Sequence, residues 1–113
     1  MSKCLVLRFG FYDDAIRTAI EDETSATNWY GESVASLLKV RVSDVIAAKN
    51  FNEILSGNIR YNIGENSNAC SLDLADDLKL ILTCNHVKPP QTENGGIDWS
   101  KVTYVMFMKI SKL

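Results

Sequence analysis

The chain has 113 residues, 46% hydrophobic and 23% charged, a balance that predicts one globular domain, 1–113, with a single core. Its formal charge of -2 and pI of about 5.3 exclude a protein that holds nucleic acid through its overall field, so any RNA contact needs a local basic patch. No apolar run approaches the roughly 20 residues that cross a bilayer, and the start Met1 to Leu7 meets Arg8 too soon for a signal-peptide hydrophobic region. No membrane association is expected, and the cytoplasm is the expected compartment. Cys4, Cys70 and Cys84 are odd in number and lack paired spacing, which predicts reduced thiols behaving as small hydrophobes.

Lys3 to Phe11 alternates with period two, Leu5, Leu7, Phe9 and Phe11 against Cys4, Val6, Arg8 and Gly10, and predicts a first strand half buried against a core. Asp13 offers an N-cap to a short helix carrying Ile16, Ala19 and Ile20, which the polar stretch Asp22 to Ser25 is expected to end. From about Asn28 to Ala48, Tyr30, Val34, Leu37, Leu38, Val42, Val45 and Ile46 recur at spacings of three and four, predicting a second, longer helix packed on a sheet. Lys39, Arg41, Asp44 and Lys49 are expected on its solvated side.

Residues 50 to 68 are rich in Asn, Ser and Gly and frame a short strand at Ile59 to Ile63. Cys70, Leu72 and Leu74 alternate with Ser71 and Asp73. Ala75-Asp76-Asp77 makes a turn, and Leu78, Leu80 and Leu82 follow in alternation with Lys79 and Ile81, which predicts an antiparallel hairpin covering the long helix. Tyr104 to Ile110 is apolar on both faces, as expected of a strand inside the sheet. These elements predict an α+β fold, a small antiparallel or mixed sheet packed against two N-terminal helices.

Between the last two strands lies a long Pro/Gly connection, Asn85-His86-Val87-Lys88-Pro89-Pro90 and then Glu93-Asn94-Gly95-Gly96-Ile97-Asp98-Trp99-Ser100-Lys101-Val102-Thr103. Loops longer than about 12 residues inside compact domains usually carry function, and the Asp-Trp pair suggests one folded onto its own scaffold. Together with Asp22-Glu23 ahead of Tyr30-Gly31-Glu32, the run Leu38 to Val45 into Ala47-Ala48-Lys49-Asn50, Ser71 to Leu74 and Leu78 to Leu82, this order resembles the HigB toxins. These are plasmid-maintenance killer proteins of the RelE/ParE superfamily, and the resemblance covers roughly residues 13 to 112.

The resemblance implies a RelE/ParE-like fold, a cognate helix-turn-helix antitoxin as partner, and ribosome-dependent cleavage of messenger RNA without metal or cofactor. Such an endoribonuclease needs a base for the ribose 2′-hydroxyl, cations for the added phosphate charge and an acid for the leaving oxygen. The family's Leu-Lys-Gly-Asp-Arg-like run corresponds here to Asn62-Ile63-Gly64-Glu65-Asn66, its Tyr/Trp-Arg pair to Leu78-Lys79, and its terminal Asp-Tyr-His to an end at Ile110-Ser111-Lys112-Leu113. These departures remove three or four charged or acid/base groups, each worth on the order of 10²-fold in rate. A degenerate or rebuilt site is therefore expected. Two alternatives follow: a toxin-fold protein that binds an antitoxin or other protein without nuclease action, and a ParE-like inhibitor of DNA gyrase.

The candidate catalytic residues are Lys79, Arg60 and His86. Lys79 is either a phosphate contact or the cross-strand partner of Asp73, Arg60 either a second cation or an ordinary loop arginine. His86, the one histidine, suits proton transfer near neutrality or a structural hydrogen bond in the loop; Cys84-Asn85-His86 lacks a second ligand pair, so no metal site is expected. Lys101, Lys109 and Lys112 are either a basic strip for RNA or charges that protect a sheet edge. Trp29, Tyr30, Trp99 and Tyr104 are expected in the core rather than stacked on bases.

Overall fold

A computed structural model of the chain describes residues 8–54, 57–63, 68–86, 88–93 and 95–112. The expected strand at Lys3 to Phe11 is seen as β1, Arg8–Phe11; its earlier residues, with Cys4, lie outside the described ones. Three α-helices follow, α1 (Asp14–Glu21), α2 (Glu23–Tyr30) and α3 (Glu32–Ala47), then β2 (Arg60–Ile63), β3 (Ala69–Asp73), β4 (Lys79–Cys84) and β5 (Tyr104–Ser111). The architecture is α+β.

Three helices rather than two is a correction with a local cause. Asp13 caps α1 as expected, its carboxylate accepting from the Ile16 N–H at 3.0 Å. Asp22, expected to begin a break, instead joins two helices. Its N–H donates to Thr18 O at 2.8 Å and closes α1, while its carboxylate accepts from the Thr24 N–H and the Ser25 hydroxyl and opens α2. Gly31, at φ +94°, then separates α2 from α3, so Tyr30 ends α2 and does not belong to the long stripe.

That stripe buries Val34, Ala35, Leu38, Val42 and Val45. Ile46, expected in it, is 36% exposed. Arg41, expected on the solvated side, is half-buried and donates from Nε to the Asp73 carbonyl at 2.9 Å, tying α3 to β3.

The strands form one sheet in the order β1-β5-β4-β3-β2, with β1 parallel to β5 and every other pair antiparallel. Its register sorts side chains onto two faces. One carries Phe11, Val105, Phe107, Leu80, Leu82, Cys84, Cys70 and Leu72 and joins Ile16, Val34, Leu38, Val42 and Val45 in the core. Each such leucine or phenylalanine contributes roughly 1.5–3 kcal/mol by leaving water. Phe107 stands 5.8 Å from the Phe9 ring and 5.9 Å from Phe11, so the parallel β1–β5 pair is welded by aromatic contacts. On the second face Ala69, Ser71 and Ile81 are buried as well, while Arg8, Arg60 and Lys109 are exposed.

The hairpin turn falls where expected: Asp76 and Asp77 sit at φ +57° and +63°, the pair of left-handed residues that a two-residue connection between twisted strands requires. Ser71, expected to alternate outward, is fully buried together with Ala69 and Ile81 on the same face. β5 is also interior as expected, though its burial concentrates on Val105 and Phe107, the helix-covered face.

The long connection is folded. Gln91 bridges Ile97, the Asp98 N–H donates to Pro90 O at 2.8 Å, and Asp98 caps a 3-10 turn at Trp99–Lys101. Trp99 is buried, 5.1 Å from the Phe51 ring and 5.7 Å from Tyr61. Among the described residues, no helix is long and apolar enough to cross a membrane.

Candidate nucleic-acid interface

The face of the sheet opposite the helix-packed core carries a charged residue from each of the five strands. In one row the register aligns Arg60, Ser71, Ile81 and Lys109 across β2, β3, β4 and β5. The neighbouring row holds Asp73, Lys79 and Ser111, and on the other side lie Ala69, Thr83, Met106 and Gly10, then Tyr104 and Arg8. Lys109 reaches this face through a bulge: the register shifts between Ile81 and Leu82, so Met108 is an extra residue and Lys109 pairs with Ile81 instead of falling on the Phe107 side. Among the described residues, Arg8, Arg60, Lys79 and Lys109 stand here against one carboxylate, Asp73. The face is thus locally cationic in a chain of net charge -2.

Lys79 meets Asp73 across the strands, Nζ to Oδ1 at 2.7 Å, with both side chains mostly shielded at 17% and 28% exposure. Asp73 Oδ2 accepts from the Asn58 amide at 3.1 Å. The hydrogen bond from Lys79 holds the Asp73 carboxyl below its ordinary pKa; burial opposes this, while Asn58 and the charges of Lys79 and Arg60 reinforce it. The Ser71 hydroxyl, buried on the same face, has no hydrogen-bond partner among the described residues.

At the far side, the Arg8 guanidinium lies 5.1 Å from the centre of the Tyr104 ring, a cation–π contact worth roughly 0.5–1 kcal/mol at an exposed site. The expected core placement of aromatics holds for Trp99; Tyr30 and Tyr104 are half-buried and Trp29 is 52% exposed.

The candidates named from sequence divide between this face and its surroundings. Lys79, Arg60 and Lys109 come together on it. His86 does not: its Nε2 accepts from the N–H groups of Thr103 and Tyr104, at 3.0 and 3.2 Å, and so clasps the end of the long connection to the start of β5. With Nε2 turned to two backbone donors, that nitrogen faces the start of β5 rather than the cations of the sheet. Lys101, 72% exposed and 3.8 Å from Asp98, precedes β5, whereas Lys109 and Lys112 lie at its other end, so these three form no continuous strip.

Ile63 ends β2, while the aligned Gly64, Glu65 and Asn66, and Leu113, lie outside the described residues. Arg8 and Tyr104 were not singled out from sequence as a charged and aromatic pair. The alternation of β1 put Arg8 opposite the apolar side, but only the parallel pairing sets it over Tyr104.

The two described cysteines are free, and burial pushes both thiols up, Cys70 the more strongly, so neither offers a ready thiolate. Burial, with the nearby Cys70, likewise raises Tyr61. No family model matches the chain, and no curated protein or solved structure matches it either.

Proposed function

We propose that the chain is a HigB-like toxin of a type II toxin–antitoxin pair, with a RelE/ParE-like fold, that engages messenger RNA on the ribosome through the charged face of its sheet. One observation carries this reading: Arg8, Arg60, Lys79 and Lys109, from four different strands, lie on one face of the sheet, opposite the face packed against the helices. Cations there attract successive phosphates, and the Arg8 guanidinium stacked over Tyr104 offers a planar cation to a base. The ancestral reaction is metal-independent attack of a ribose 2′-hydroxyl on the adjacent phosphorus, with breakage of the bond to the 5′-oxygen, which then takes a proton.

A second reading, a toxin-fold protein that binds a helix-turn-helix antitoxin or another protein without cutting RNA, is favoured by two contacts. Lys79 is neutralised by Asp73, and the Nε2 of His86 is engaged by backbone. Expression of the chain alone, with growth measured and mRNA ends mapped in the presence of intact ribosomes, separates the two. Arrest with new mRNA ends, both abolished in an Arg60→Gln/Lys109→Gln variant, supports the first reading. Absence of new ends supports the second.

A further inference from the structure

We propose that Asp73 fills, with its own carboxylate, a phosphate subsite made by Lys79, Asn58 and Arg60, and that an RNA phosphate enters by displacing it. The inference rests on the RNA-binding reading above and adds a built-in competitor to it.

Donors converge on this carboxylate from two sides. Lys79 Nζ takes Oδ1 at 2.7 Å and the Asn58 amide takes Oδ2 at 3.1 Å, while the charge of Arg60, Cα partner of Ser71 in the adjacent row, acts on the same group. A charged donor and a neutral amide around one anion match the oxygens of a phosphate as well as those of a carboxylate.

The surrounding backbone is fixed independently of the carboxylate. Asp73 donates its N–H to Gly57 O at 2.7 Å and accepts at its carbonyl from Arg41 Nε at 2.9 Å, so the side chain can rotate away while the strand stays. Asn58 is presented at φ +49° by a turn whose Gly57, at φ +92°, admits no larger residue. A Cβ there would lie 2.9 Å from Leu72 Cδ2 and 3.0 Å from Arg41 Cδ. The amide is thus held at the subsite by packing, and exchanging carboxylate for phosphate conserves the ion pair of Lys79.

The test is the affinity of the full chain for an oligouridylate as a function of salt. Asp73→Asn removes the competing charge and keeps the side-chain shape. It is expected to bind roughly five- to tenfold tighter at low ionic strength, with a salt slope steeper by about 0.7 as Lys79 acquires a phosphate. Adding Lys79→Met to that variant is expected to cancel both gains, and Asp73→Ser serves if the asparagine variant fails to fold. Binding by the variant but not by the original chain also supports the proposal. Equal or weaker binding by both Asp73 variants, with the original chain still binding RNA, overturns the subsite and leaves the RNA face standing. If neither the chain nor its variants bind, the subsite is overturned, and the ribosome-dependent reading stands or falls on the mapping of mRNA ends.

Discussion

The two faces of the one sheet obey different physics. On the helix-covered side Phe107, Leu80, Leu82, Val105 and Leu72 are fully buried, and their contribution is non-directional removal of apolar surface from water. On the other side the same strands present Arg8, Arg60, Lys79 and Lys109 around the buried Ala69, Ser71 and Ile81. Substitutions on the first face should therefore be read in stability, and on the second in binding. The contrast shows how a two-residue period lets five strands serve as core and as charged surface at once.

The largest effect expected is from Phe107→Ala, which opens a cavity beneath β1 and α1 and should cost about 3–5 kcal/mol in denaturant unfolding. Its neighbour Met106, half-buried on the opposite face, should cost much less when cut to alanine; equal losses would erase the distinction between the faces. Next comes Arg60→Gln/Lys109→Gln, expected to weaken oligouridylate binding by roughly tenfold or more and to flatten the salt slope by about 0.7 for each lost contact. Its unfolding free energy should stay within about 0.5 kcal/mol of the original.

His86→Ala leaves the Thr103 and Tyr104 N–H groups without their acceptor and should cost on the order of 1 kcal/mol, with faster amide exchange at those two positions as the readout. The Asp73–Lys79 pair sharpens the comparison through pH. Because the folded pKa of Asp73 is depressed, the pair stabilises the fold above the ordinary aspartate value of about 3.9 and loses that contribution as pH falls through the lower folded value. The stability gap between the original chain and Asp73→Asn should be constant from neutrality down to about pH 5 and close in stronger acid; a gap that widens in acid reverses the assignment. Smallest is Asp77→Gly, which relieves a left-handed aspartate and should raise stability by about 0.5 kcal/mol in thermal unfolding.

Much of the fold was legible wherever a single period governed a segment. Asp13 as a cap, the hairpin across Asp76 and Asp77, and the pairing of Lys79 with Asp73 all follow from local pattern. The split of the helical region was less legible. Asp22 is as good a helix start as a helix break, and which it becomes depends on whether Ala26 finds a core, as it does here at 1% exposure. At the candidate site, Arg60, Lys79 and Lys109 were visible as cations, but Arg8 was hidden because its relevance comes from β5, almost a hundred residues later in the chain.

What the amino-acid order determined alone was the set of amphipathic segments, since side-chain period and capping chemistry act within a few residues of one another. Tertiary structure alone decided which cations share a surface. The parallel β1–β5 pair and the bulge at Met108 bring Arg8 and Lys109 to the face that already held Lys79. A shift of one residue in register would have turned them toward the core, where an unpaired charge is too costly to persist.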